Sequence, residues 1–360
     1  MCVICDGDYE EREKIDCYCC PDLEQIPVIR GLKYLDCSYC TSLKEIPVIP
    51  GLKYLDCSYC TSLKEIPVIP GLKYLDCSGC ENLTNIPVIH GLKELWCNCT
   101  NLTTTPDIPD LQQLHCRNCI NLTKISIIPG LERLNCSNCT SLTNISIIPG
   151  LKLLWCGKCP NLKEIPIIPG LEKLDCEGCL VEIPFISGLY ELWCYSCPNL
   201  REIPVIPGLK QLLCWDCTSL RKIPNIPGLE KLYCYGCTNL TEIPLIPSLE
   251  ELICSDCYNI KQIYDMPNLV NLSYYKCRSL TKIPANSKYC SGCPWLEQDP
   301  EFKENLENLI VIQKYVKKYH KLKLCKRWVE SDAFREWYYH PEGPGGIKAV
   351  LRLISKTKNE

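Results

Sequence analysis

Apolar letters recur along this chain with a period of about twenty. The stretch GLKYLDCSYCTSLKEIPVIP at residues 31–50 returns unchanged at 51–70. Thirteen units begin at residues 31, 51, 71, 91, 110, 130, 150, 170, 188, 208, 228, 248 and 268, the last ending at 287. All are twenty residues long except 91–109, of nineteen, and 170–187, of eighteen. A degraded copy, EREKIDCYCCPDLEQIPVIR, precedes them, and a stub, KYCSGCPWLEQDP, follows at 288–300. The consensus G-L-x-x-L-x-C-x-x-C-x-x-L-x-x-I-P-x-I-P predicts a solenoid, in which no unit buries its apolar face alone.

Within a unit, Leu35, Asp36 and Cys37 alternate in, out and in, as a short strand requires, with Leu35 and Cys37 inward. Successive strands then pair in parallel about 4.8 Å apart, so that some fourteen coils span roughly 65 Å. The return half carries proline at two of five positions. Proline fixes φ and lacks the N–H donor, so an extended run is expected there and not a helix. Ile46 and Ile49 plug the core from that side, and Pro50-Gly51 suits the centre of a type II turn into the next strand.

L-x-x-L-x-C-x-x-C-x-x-L resembles the leucine-rich repeat, with cysteine in place of the third leucine and of the turn asparagine. The twenty-residue length and the I-P-x-I-P half resemble the short repeats of bacterial effector proteins. The wording LDCSxCxxLxxIPxIPGL, and the tail, most resemble repeat proteins of giant DNA viruses of the mimivirus kind. The resemblance implies a leucine-rich repeat solenoid with a parallel β-sheet on its concave side, an extended proline-rich convex side, and a role in protein interaction.

The chain has 33 cysteines, most of them in C-x-x-C pairs. That spacing supplies two zinc ligands, and a structural zinc wants four. The register slips, however: unit 91–109 reads Cys97-x-Cys99, unit 268–287 puts Tyr274 at the first cysteine, and the degraded copy has Cys17, Cys19 and Cys20. Packing survives such slips more easily than a ligand set does. The first cysteine is therefore read as a small core hydrophobe, and the second as a thiol donating to a neighbouring coil's carbonyl. No cofactor and no metal is assigned. The exception in register is Cys2 and Cys5 with Cys17, Cys19 and Cys20, where a zinc-bound cap is the alternative reading.

Counting the first leucine of a unit as one, letters three, five and seven face outward. The first three regular units repeat Tyr34/Asp36/Ser38, Tyr54/Asp56/Ser58 and Tyr74/Asp76/Ser78. Later units turn aromatic and aliphatic, with Trp96, Trp155, Trp193, Tyr195, Leu213, Trp215, Tyr233, Tyr235, Ile253 and Tyr275 on these letters. Contiguous exposed aromatic surface marks contact sites, and Trp and Tyr dominate interface hot spots. The aromatic letters of units 150–287 are read as a protein- or peptide-binding face, with Asp36, Asp56 and Asp76 as an auxiliary acidic stripe. The bland alternative is that the rings only stack along the sheet and stabilise it.

Net charge is −3, but residues 301–360 hold 13 Lys/Arg and 8 Asp/Glu, a local +5 against −8 for the remainder. Three units follow: 1–16 as an N-terminal cap, 17–300 as the solenoid, and 301–360 as a basic α-helical cap. In the last, Leu306, Leu309, Ile312, Val316 and Tyr319 recur at helical spacing. A second helix is expected to run from Ser331 or Asp332 through Tyr339, and a third from 347 to 354. Segment 314–327 carries seven Lys/Arg and no acid, which leaves phosphates or an acidic partner open, though a solvated helix face is preferred to nucleic-acid binding. IQKYVKKYHK at 312–321 faintly resembles a calmodulin-binding IQ motif, but Leu322 stands where the last basic residue belongs.

The start, MCVICDGDYEEREK, has no apolar core of the secretory kind, and no apolar run reaches the ~18 residues of a membrane span. A reducing cytoplasm suits so many thiols, the host's if the source is viral, and N-x-[ST] triplets such as those at Asn98, Asn121, Asn138 and Asn239 are then accidents of the repeat. The four histidines are far apart, and no Ser/His/Asp set, phosphate-binding glycine loop or HExxH occurs. The chain is read as a scaffold and not an enzyme. The alternative borrows from the bacterial effectors a ubiquitin ligase, or a ligase adaptor, with Cys325 as its nucleophile amid basic residues.

Overall fold

The computed structural model describes residues 2–284 apart from 99, 180, 181 and 283. These residues lie within one compact unit, Met1–Pro294. Each coil contributes a three-residue strand, from Lys14–Asp16 to Asn271–Ser273, and the fourteen strands form one parallel sheet in sequence order. Register is strict. Leu35 opposes Leu55, Leu55 opposes Leu75, and the alignment continues to Leu252 opposite Leu272. The helices expected at 306–319, 331–339 and 347–354, the IQ-like segment, Cys325 and the stub at 288–300 lie outside the described residues.

The repeat pattern builds each coil in the same way. The strand leucine and both cysteines are inside, with Leu35, Cys37 and Cys40 at 0 % exposure. The residue before the second cysteine takes a left-handed backbone in nearly every coil, as at Tyr39 (φ 60), Asn138 (φ 63) and Ser196 (φ 53), which swings the chain out of the strand. Its amide donates to the next coil, Tyr39 N to Ser58 O at 2.8 Å. Ile46 and Ile49 close the core from the return half. Leu52 N then donates to Ile49 O at 3.3 Å, with Gly51 at φ +91. That is the type II turn Pro50-Gly51 was expected to make, and only glycine takes such a φ without strain.

Two slips in the pattern resolve physically. In the nineteen-residue unit, Thr100 holds the position of the second cysteine: it is buried, and its Oγ1 donates to Cys97 O at 2.9 Å. The shortening therefore falls after the pair. Tyr274 takes the first-cysteine position of the last described coil and is 1 % exposed.

Candidate functional site

Stacked coils convert each letter of the repeat into a column. The fifth-letter column runs Trp155, Asp175, Trp193, Leu213, Tyr233, Ile253 in direct register. The seventh-letter column brings Tyr195, Trp215 and Tyr235 onto successive coils. Because parallel strands lie about 4.8 Å apart, close to the separation of stacked rings, equal letters on adjacent coils stack with little adjustment. Tyr195 and Trp215 have centroids 4.2 Å apart at 18°, and Trp215 and Tyr235 5.5 Å apart at 8°. Tyr195 OH also donates to Glu177 Oε2 at 3.2 Å. The rings so joined form one ladder over three coils.

The ladder is partly covered by its own members. Trp155, Trp193, Tyr195, Trp215 and Tyr233 are half-buried, whereas Tyr235 and Tyr275 are open at 38 % and 42 %. Leu213 was expected outside but is only 8 % exposed, because its register neighbours are Trp193 and Tyr233, both much larger. The Trp193 indole nitrogen is buried without a hydrogen-bond acceptor among the described residues, a state that costs about 1–3 kcal/mol. Tyr275 stands one coil beyond a break at Ser255, with Lys276 Nζ 4.8 Å from its ring centroid. Trp96 is a separate feature: it stacks on His115 at 3.9 Å, and its Nε1 donates to Glu94 Oε1 at 2.6 Å.

The acidic stripe is ordered differently. Asp36 accepts from Ser38 N at 3.0 Å and Ser38 Oγ at 2.6 Å; Asp56 accepts from Ser58 N at 2.9 Å and Asp76 from Ser78 N at 2.8 Å. These are turns in which an Asp side chain receives the amide two residues on. The serines were expected outside but are buried under them. Burial pushes Asp56 and Asp76 above the usual carboxylate range, neighbouring aspartates add to the shift, and the serine hydrogen bonds offset part of it. Beside them Tyr34, Tyr54 and Tyr74 stack at 4.3 Å, within 7° of parallel.

One surface has a sequence signal that the outward-strand reasoning passed over. The middle letter of I-P-x-I-P is apolar in most units, and it is exposed. Val48, Val68, Ile127, Ile147, Ile167 and Phe185 stand at 47 to 58 % exposure on the return half, a row interrupted by Asp107, Asn225 and Asp265.

The core thiols are committed to packing and to carbonyls. Cys40 Sγ donates to Cys17 O at 3.1 Å and Cys60 to Cys37 O at 3.1 Å, and the same bond recurs through Cys277 to Cys254 O at 3.1 Å. Burial pushes Cys77, Cys176 and Cys194 well above the ordinary thiol range, so they stay protonated. Among the described residues the one thiol group with metal-ligand spacing is Cys2, Cys5 and Cys20. No helix among them is long and apolar enough to cross a membrane.

No family model matches this chain, and no curated protein matches it. Among solved structures it is similar to the crystal structure of a leucine-rich repeat protein from Bacteroides ovatus ATCC 8483, with 19 % identity over 78 % of this chain and 87 % of that one and a TM-score of 0.49. On the evidence of its own coils, the chain has a leucine-rich-repeat fold with repeats of about twenty residues.

Proposed function

We propose that the protein is an interaction scaffold that binds a protein or peptide segment across the sheet face of residues 150–277. Leucine-rich-repeat folds are commonly scaffolds of this kind. The observation that carries the reading is the Tyr195–Trp215–Tyr235 ladder, set beside the half-buried Trp193. Aromatic rings that are rigid, half-covered and close together are what interface hot spots are made of. Core leucines already supply the packing of these coils, so stability alone does not call for Trp at letters five and seven.

The same reading assigns the protein to a reducing compartment, in keeping with its many protonated thiols, and to the host cytoplasm if the viral resemblance of its repeat wording holds. The ubiquitin-ligase alternative rests on 301–360 and Cys325 and has no support among the described coils.

The test takes a partner recovered by cross-linking to the intact protein, purifies it, and measures its affinity. Trp193→Ala and Trp215→Ala should each weaken binding by about 2 kcal/mol or more, roughly 30-fold, with the melting curve of the coils little changed. Ile147→Ser, on the return half, should leave the affinity unaltered. The opposite pattern would move the site to the aliphatic row.

A further inference from the structure

The thiol ladder changes partner at its first rung. In later coils the second cysteine donates to a carbonyl of the preceding coil, as Cys40 does to Cys17 O. Cys20 holds the same letter of the repeat, yet its Sγ faces the Cys5 Sγ at 3.6 Å. Cys5 comes from a second C-x-x-C, Cys2-Val3-Ile4-Cys5, which is not part of any coil. A tight turn folds it back: Asp6 N donates to Cys2 O at 3.0 Å and Gly7 N to Ile4 O at 3.1 Å, with Gly7 at φ +77. The sulfurs of Cys2, Cys5 and Cys20 thereby all come within 4.8 Å of one another. Cys17, buried just after the first strand, lies outside this group.

We propose that Cys2, Cys5 and Cys20 form a three-thiolate site for a thiophilic divalent cation of the zinc class, with a solvent molecule as fourth ligand. A tetrahedral zinc with Zn–S bonds of about 2.3 Å sets its sulfurs about 3.8 Å apart. The Cys5–Cys20 separation of 3.6 Å matches that spacing and is far from the ~2.05 Å of a disulfide. A disulfide there would also leave Cys2 unused. The ligands come from different pieces of chain, Cys2 and Cys5 from the turn and Cys20 from the first coil. Binding would therefore fasten residues 2–8, including the buried Ile4, over the end of the stack, where a solenoid needs a cover. Cys19 precedes the ligand Cys20 but is exposed on a left-handed residue, and it lies outside the group.

The experiment uses the full chain, purified reduced and metal-free, then titrated with zinc or cobalt(II). The expected result is one tightly bound metal per chain by native mass spectrometry, with thiolate-to-cobalt charge transfer and tetrahedral ligand-field bands. Cys5→Ser and Cys20→Ser should each weaken binding by roughly 100-fold or more, and Cys19→Ser should not. Three results would overturn the proposal: no metal bound by the wild type; binding that survives both Cys5→Ser and Cys20→Ser, which would place it elsewhere in the chain; or a Cys5–Cys20 disulfide in reducing buffer. Cys5 is exposed, so its serine variant tests ligation without opening the core.

Discussion

The same letter of the repeat is asked to do different work in different coils, and the aspartates of letter five show how. Asp76 is half-buried, and it accepts a hydrogen bond that turns the chain out of its strand. Asn135 stands on the same letter and accepts from Ser137 N at 3.1 Å, so the turn does not need a charge. The raised pKa of Asp76 comes first from burial. A carboxyl raised in the folded state disfavours its own ionisation there, so the fold is penalised as pH rises through that value and not penalised below the unfolded value of about 3.9. Asp76→Asn should therefore melt at a higher temperature than wild type at pH 7. The gap should close as pH falls below the ordinary carboxylate range; thermal melts across pH would show it. An equal gap at all pH would mean that charge is not the cause.

At the level of the coil, the twenty letters state most of the geometry in advance. Leucine and isoleucine spacing gives the inward positions, Pro-Gly gives the turn, and Cys at letters six and nine gives a buried thiol pair. Which residue fills letter nine in the shortened unit was not legible, because Cys99 looks like the natural candidate until Thr100 is seen in its place. The exposure of single rings was also hidden. It depends on the bulk of both register neighbours, as Leu213 between Trp193 and Tyr233 shows. The donor role of the second cysteine yields a direct check. Cys217 Sγ donates to Cys194 O at 2.9 Å in the buried core. Cys217→Ala leaves that carbonyl unsatisfied and should cost about 1–3 kcal/mol of stability, whereas Cys217→Ser keeps a donor and should recover part of it. Equal losses in chemical denaturation would mean that the sulfur matters only for its volume.

For the array as a whole, contacts run almost entirely between neighbouring coils, each strand bonding only the one before and the one after. Stability in such a chain is close to a sum over units and their joints, and it is lowest where a joint is missing. Amide exchange should be slowest in central strands such as Arg133–Asn135 and Leu153–Trp155. It should quicken toward Asn271–Ser273, whose Leu272 is already less deeply buried than its counterparts. Uniform protection along the fourteen strands would instead indicate one cooperative body.

The joint between coils is repeated almost without change, with a leucine over a leucine, a thiol on the carbonyl behind it, and an amide handed forward from the left-handed residue. Nothing in it records how many neighbours lie further along. Residues 31–50 and 51–70 are interchangeable links, so copying or excising a whole link leaves every remaining seam as it was. The protein can lengthen or shorten in whole blocks, and the letters that face outward are free to drift, link by link, after each duplication.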